Sequence, residues 1–471
     1  MPEAAHLPPA SETRTIPPLP AEPMDRYADL LVRIGVNLQP GQCLNLRAEL
    51  EHADFARRVV AAAYRHGAKY VNMVWTHDPI TRARLLNSAP EDLDYVPGFE
   101  VERLRQALDE RWAALSLVGP EHPDLLGDVE PALIRRAGQA RRRMTKFYGD
   151  ALMANTMQWC VAAVPTRAWA RQIFPGMDEE EAVVRLWELI LTLVRADLPD
   201  PIAAWQEHDA RLSTIAAELM RRGVRSLHFL DPTPGPDGKP STDFVVGLTD
   251  APVWVAASSR TPAAVRFLPN MPTEEIFTTP HNLHCEGYVR TSKPCFPFER
   301  RVEGALFRFK DGEVVEFDAA LGRDVLAEMF DVRGMHRLGE IALVDERSPV
   351  NRSGVTFFET LFDENCVCHM AFGEAYVEGV RDASTMTEAE KRAMGINEAD
   401  MHFDFMIGTP TMQVTGVCAD GRVLPVLVDG MFSEALTAPA PDEEEEEATA
   451  GFTAAGSAAT GTAQGQNERN G

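Results

Sequence analysis

The chain has 471 residues, 45% of them apolar and 8% aromatic, enough for two or three globular domains with a substantial core. A formal net charge of -25 repels phosphate backbones and argues against nucleic acid as a partner. There is no apolar run of 18 residues to cross a membrane and no secretory signal at the start, and seven scattered cysteines, an odd number, fit free thiols in a reducing cytoplasm.

Residues 1–23, rich in Pro, Ala and polar groups, read as a disordered arm. From 24 to 222, helices and strands alternate. Helices are predicted over 26–36, 53–66, 101–112 and 131–148, with strands over 42–46, 70–75, 113–118 and 159–164. Two long helices, 178–195 and 201–222, follow. This alternation predicts a layered, parallel α/β domain. No Gly-rich phosphate loop follows any of its strands. The acids Asp178, Glu179, Glu180 and Glu181 open a helix, where they complement its dipole, and Arg141, Arg142 and Arg143 read as a solvated helix face.

From 223 to 435 the character turns to strands, predicted over 224–230, 243–248, 253–257 and 305–317, with one short helix over 322–330. Asp311-Gly312 marks a hairpin turn. The fold class is therefore α/β: an N-terminal layered α/β domain, then a C-terminal α+β domain that carries the chemistry. Residues 436–471, with the acidic run 442–447, read as a disordered tail.

The candidate site residues all lie in the second half. His402 and Asp404 stand two apart in a strand-like run, so their side chains share one face, with Phe403 and Phe405 on the other. Glu274 and Glu275 lie between Pro272 and Pro280, either as a rigid loop presenting a carboxylate or as the first acids of a turn capped by Thr273. Glu340 leads an apolar run, which also suits an ordinary charge at a strand edge. Glu364 sits in an Asp-Glu-Asn turn before the apolar run that bears His369. Cys366 and Cys368 share one strand face and His369 the other, so a zinc–thiolate site or a cysteine–histidine hydrolase is disfavoured and the thiols read as packed. The set is rich in carboxylates and holds two imidazoles. Two divalent ions sharing it would form a hydrolytic site that lowers the pKa of a bridging water, with a free carboxylate to carry the proton. The His-Glu-x-x-His motif of mononuclear proteases is absent.

In their order these clusters resemble the metallo-aminopeptidase family of aminopeptidase T, aminopeptidase S and aminopeptidase II. The carrying segments are Pro272 to Pro280, Glu286 to Val289, Leu361 to His369, Ala375-Tyr376 and His402 to Gly408. The resemblance spans residues 24 to 433. It implies a metal-dependent exopeptidase acting on peptides with a free N-terminus, two divalent ions (zinc, cobalt, manganese or magnesium), and a homodimer. It further implies that Glu274, Glu340, Glu364, His369, His402 and Asp404 are metal ligands, with Glu340 bridging. Tyr376 is implied at the oxyanion and Glu275 as proton shuttle. The segment His281 to His284 departs from the acid and arginines that relatives carry there, and it is expected at the site entrance. Two other readings are a metal-dependent amidohydrolase or esterase on small non-peptide substrates, and a non-catalytic peptide-binding protein.

Overall fold

The apolar runs of the first half fold as a parallel sheet flanked by helices. A computed structural model describes residues 19–119, 125–126 and 128–437, so the predicted arm to residue 18 and the tail from 438 lie outside the described residues. Helix α1 (Ala21–Leu30) begins inside the predicted arm and runs on through a π-turn to Gly35. Pro23 falls in its first turn, where the missing N–H removes no intrahelical bond. Strand β1 (Cys43–Glu49), helix α2 (Ala53–Arg65), strand β2 (Tyr70–Thr76), helices α3 (Asp78–Asn87) and α4 (Gly98–Asp109), strand β3 (Ala113–Val118), helix α5 (Pro131–Met153) and strand β4 (Trp159–Ala163) follow. α2 buries Phe55, Ala56, Val59, Ala62 and Ala63, one stripe at helical spacing. Helices α6 (Arg167–Ile173), α7 (Glu179–Leu193) and α8 (Pro201–Arg221) complete this part. Asp178 caps α7, its carboxylate accepting from the N–H groups of Glu180 and Glu181, so the acidic run is a helix start.

The second half contributes β5 (Val224–Pro234), β6 (Pro240–Leu248), β7 (Ser259–Arg260), β8 (Arg266–Phe267), β9 (Asn270–Met271), β10 (Glu275–Thr278), β11 (Pro280–Arg290), β12 (Leu306–Lys310), β13 (Glu313–Asp318), helix α9 (Arg323–Phe330), β14 (Leu338–Val344), helices α10 (Pro349–Arg352) and α11 (Thr360–Asp363), β15 (His369–Gly373), β16 (His402–Met406), β17 (Gln413–Cys418), β18 (Val423–Val428) and β19 (Met431–Phe432). Among the described residues, β9 joins the parallel sheet in the order β2-β1-β3-β4-β9, an eight-stranded sheet runs β13-β12-β11-β6-β5-β17-β18-β19, and a four-stranded antiparallel sheet runs β10-β14-β15-β16. Asp311 and Gly312 both take positive φ, 52° and 77°, in the two-residue turn between β12 and β13. The predicted strand 253–257 does not form. That segment makes one isolated bridge, Val255 to Phe277, with another just before it from Pro252 to Val380.

Strand alternation decides how the site is supported. Phe372 of β15 and Phe405 of β16 point away from the polar face of the four-stranded sheet and are fully buried. They meet Phe307 of β12 with ring centroids 4.9 and 5.2 Å apart, which packs this sheet against the eight-stranded one. Among the described residues no helix is long and apolar enough to cross a membrane.

Candidate metal centre

The polar face of the four-stranded sheet gathers the acids and histidines by register. Glu340 on β14 stands opposite Ala371 on β15, and Ala371 stands opposite Asp404 on β16. Two positions along, His369 shares the face of Ala371, and His402 lies beside Gly373. The residues between the charged groups are thus the small Ala371 and Gly373. Gly373 sits at φ 105°, and a Cβ there would lie 2.1 Å from the carbonyl oxygen of Met401. At the other edge, β10 pairs with β14 and puts Glu275 on this same face.

Two ligand groups result. Atoms of Glu275, Glu340 and His369 lie within 4.8 Å of one another, and so do atoms of Glu340, His402 and Asp404. Glu340 belongs to both. His369 Nε2 lies 3.0 Å from Glu275 Oε2, and His402 Nε2 lies 3.2 Å from Glu340 Oε2 and 3.3 Å from Asp404 Oδ1. Each imidazole turns its other nitrogen to a backbone carbonyl: His402 Nδ1 is 2.7 Å from the oxygen of Glu374, and His369 Nδ1 is 3.3 Å from that of Val367. With Nδ1 turned to a carbonyl, Nε2 is the nitrogen left to face the carboxylates, the orientation seen in metal-ligating histidines. Glu275 Oε2 is buried and has no aligned hydrogen-bond donor, although His369 is close. These features fit a divalent cation between the groups.

The local electrostatics agree. Burial, with Glu275 close by, holds the Glu340 carboxyl above its usual range despite His402. Burial disfavours charge on His369, but Glu275, Glu340 and Asp404 outweigh it and raise its pKa to about 9. His402 is raised well above its ordinary value in the same way, against burial, by Asp404 and Glu340. Without a cation, the carboxylates hold protons on both rings.

The sequence reading placed Glu274 among the ligands and Glu275 as shuttle. The structure joins Glu275 to the cluster and turns Glu274 away, because consecutive residues entering a strand face opposite sides. Glu274 is buried, with Oε1 2.7 Å from Arg195 Nη2 and Oε2 3.4 Å from His208 Nε2. Neither Arg195 nor His208 was foreseen, and no local pattern in the first half marks them. Of the two readings of this acid pair, the turn capped by Thr273 is not seen: Thr273 and Glu274 lead directly into β10. Glu364, at the end of α11, joins neither ligand group. Burial, then Glu275, Asp404, Glu340 and Glu359, push its carboxyl well above the usual range. Tyr376 lies over His402 and Phe277, with ring centroids 4.6 and 5.7 Å apart. Desolvation of the hydroxyl, then Glu340, Asp404, Glu364 and Glu275, raise its phenol well above the ordinary value.

Cys366 and Cys368 are buried free thiols, both pushed up to about 12 by burial. Cys368 Sγ faces the backbone of Val344. His281 and His284 stack on each other, centroids 3.8 Å apart, beside Gly395 and Gly247.

The family model for thermophilic metalloprotease (M29) matches residues 21–432. Among curated proteins, Aminopeptidase 2 of Geobacillus stearothermophilus is 38% identical over 411 residues, covering 87% of this chain and 97% of that one. Aminopeptidase T of Thermus thermophilus is 38% identical over 410 residues, covering 87% and 98%. The solved structure titled wild-type AmpT from Thermus thermophilus superposes with a TM-score of 0.80 at 36% identity, covering 88% of this chain and 99% of that one.

Proposed function

The chain belongs to the thermophilic metalloprotease (M29) family, and on that footing we propose that it removes N-terminal residues from peptides at a centre built for two divalent ions that share Glu340. Membership makes it a metal-dependent hydrolase, and its relatives in that family are aminopeptidases. The observation that carries the two-ion reading is the place of Glu340 in both ligand groups. Glu275 and His369 complete one group, His402 and Asp404 the other. Bound ions would polarise the scissile carbonyl and make a water nucleophilic near neutral pH. The carboxylate and imidazole donors suit zinc, cobalt, manganese or magnesium.

The chain's own residues do the rest. Glu364, outside both ligand groups and with its carboxyl pushed above the usual range by burial, is the carboxyl we assign to proton transfer toward the leaving amine. The Tyr376 phenol stays protonated at neutral pH and can donate to the oxygen that gains charge at the tetrahedral stage. With both ions bound, the unprotonated α-amine of a substrate could also serve as a ligand to one of them. Comparison of leucine p-nitroanilide with its N-acetyl derivative tests this: an aminopeptidase cleaves only the first. Cleavage of both at similar rates would point instead to an amidohydrolase of broader substrate class.

The homodimer and the cytoplasmic location belong to this proposal as well. They rest on the family resemblance and on the free thiols.

A further inference from the structure

The pair next to the metal centre that the chemistry does not use is Arg195 with Glu274. Arg195 follows α7 in the left-handed backbone region, φ 60°, an uncommon place for a long side chain. Its guanidinium lies over the indole of Trp205, 4.7 Å from the ring centroid, while Trp205 Nε1 donates to the carbonyl of Val194 at 2.8 Å. From there Nη2 reaches Glu274 Oε1 at 2.7 Å. The same short segment is held twice more. His208 Nε2 lies 2.9 Å from the carbonyl oxygen of Thr273, and the N–H of Glu274 donates to Asn365 Oδ1 at 2.6 Å. Asn365 is itself fixed, its Nδ2 donating to Leu361 and its carbonyl accepting from Ser348 Oγ.

The next residue is Glu275. It starts β10, an edge strand of the four-stranded sheet, and its Oε2 meets His369 Nε2 of its own ligand group at 3.0 Å. It can make that approach only from the peptide it leaves, and that peptide is anchored through Glu274. We propose that Arg195 is a positioning residue for the metal centre: by holding Glu274 on the far side of the strand, it directs Glu275 into the ligand group with Glu340 and His369. This rests on the two-ion reading above. It predicts a selective effect, because His402 and Asp404 sit on β16, at the opposite edge of that sheet.

The test is zinc binding by the full chain, measured by elemental analysis after equilibration at buffered zinc concentrations, with kcat and KM alongside. Wild type should hold two zinc ions. Arg195→Met should keep one and weaken the other by about 10- to 100-fold, the range found when a residue supporting a metal ligand is removed. Its kcat should fall while KM moves less. Arg195→Lys, which keeps the charge and folds more readily, should lie between. The double variant Arg195→Met with Glu274→Gln removes both partners and should recover part of the lost affinity, since no unpaired charge stays buried. Two zinc ions bound at wild-type affinity in Arg195→Met would overturn the proposal. A double variant worse than either single change would also overturn it, since Glu274 would then be a ligand itself. Wild type that binds one zinc would overturn the two-ion reading, and with it the selective form of this proposal.

Discussion

At Glu340 a single buried carboxylate lies in both candidate ligand groups, whereas each of the other members belongs to one. Glu340→Gln should therefore lower kcat/KM by at least about 10³-fold, the scale of several kcal/mol of lost charge stabilisation, and should release both ions. Asp404→Asn should release one. Metal content of the purified variants checks this, and equal losses would contradict it. Tyr376→Phe keeps the ring over His402 and removes only the donor, so kcat should fall about 10²- to 10³-fold with KM little changed. The thiols give a contrasting result. Cys366 and Cys368 sit at about 12, so almost no thiolate exists at pH 8. Iodoacetamide should leave the native enzyme active, with mass spectrometry showing both sites unmodified; rapid inactivation together with labelling at either site would revive the cysteine-hydrolase reading.

At the level of elements, the pairing of His402 with Asp404 was legible because strand geometry has a fixed period of two. The choice between Glu274 and Glu275 was not. It depends on which residue begins β10, and an acid pair between prolines carries no such mark. Asn270–Met271 as a strand of the parallel sheet was equally hidden, since two residues show no periodicity. The run 253–257 misled in the opposite direction: its valines and tryptophan suit a strand, yet it makes only one isolated bridge. The support of the site by aromatic packing makes a stability prediction. Phe307→Ala removes the ring between Phe372 and Phe405 and should cost about 3–5 kcal/mol in denaturant unfolding. Gly373→Ala would press a methyl into the Met401 carbonyl from a positive φ, and it should lower both melting temperature and metal content. Wild-type metal content in a folded Gly373→Ala protein would show that this backbone does not shape the site.

Across the whole molecule, metal, protons and stability are linked. Against its burial, His369 is held by Glu275 at about 9 in the metal-free protein, compared with 6.5 for a free imidazole. A raised imidazole pKa adds stability that is complete below about pH 6.5 and is lost as pH climbs toward 9. The melting temperature of chelator-stripped protein should fall across that window, and the metal-loaded protein should not share the fall, because its imidazoles bind without protons. Calorimetric titration near pH 7.5, in buffers of different ionisation enthalpy, should detect about two protons released as the centre fills, from His369 and His402. The most direct test of the account is a metal titration of chelator-stripped enzyme, followed by hydrolysis of leucine p-nitroanilide. The account predicts no activity without metal and a rise that completes only at the second equivalent per chain. Full activity at one equivalent, or activity that survives chelation, would contradict it.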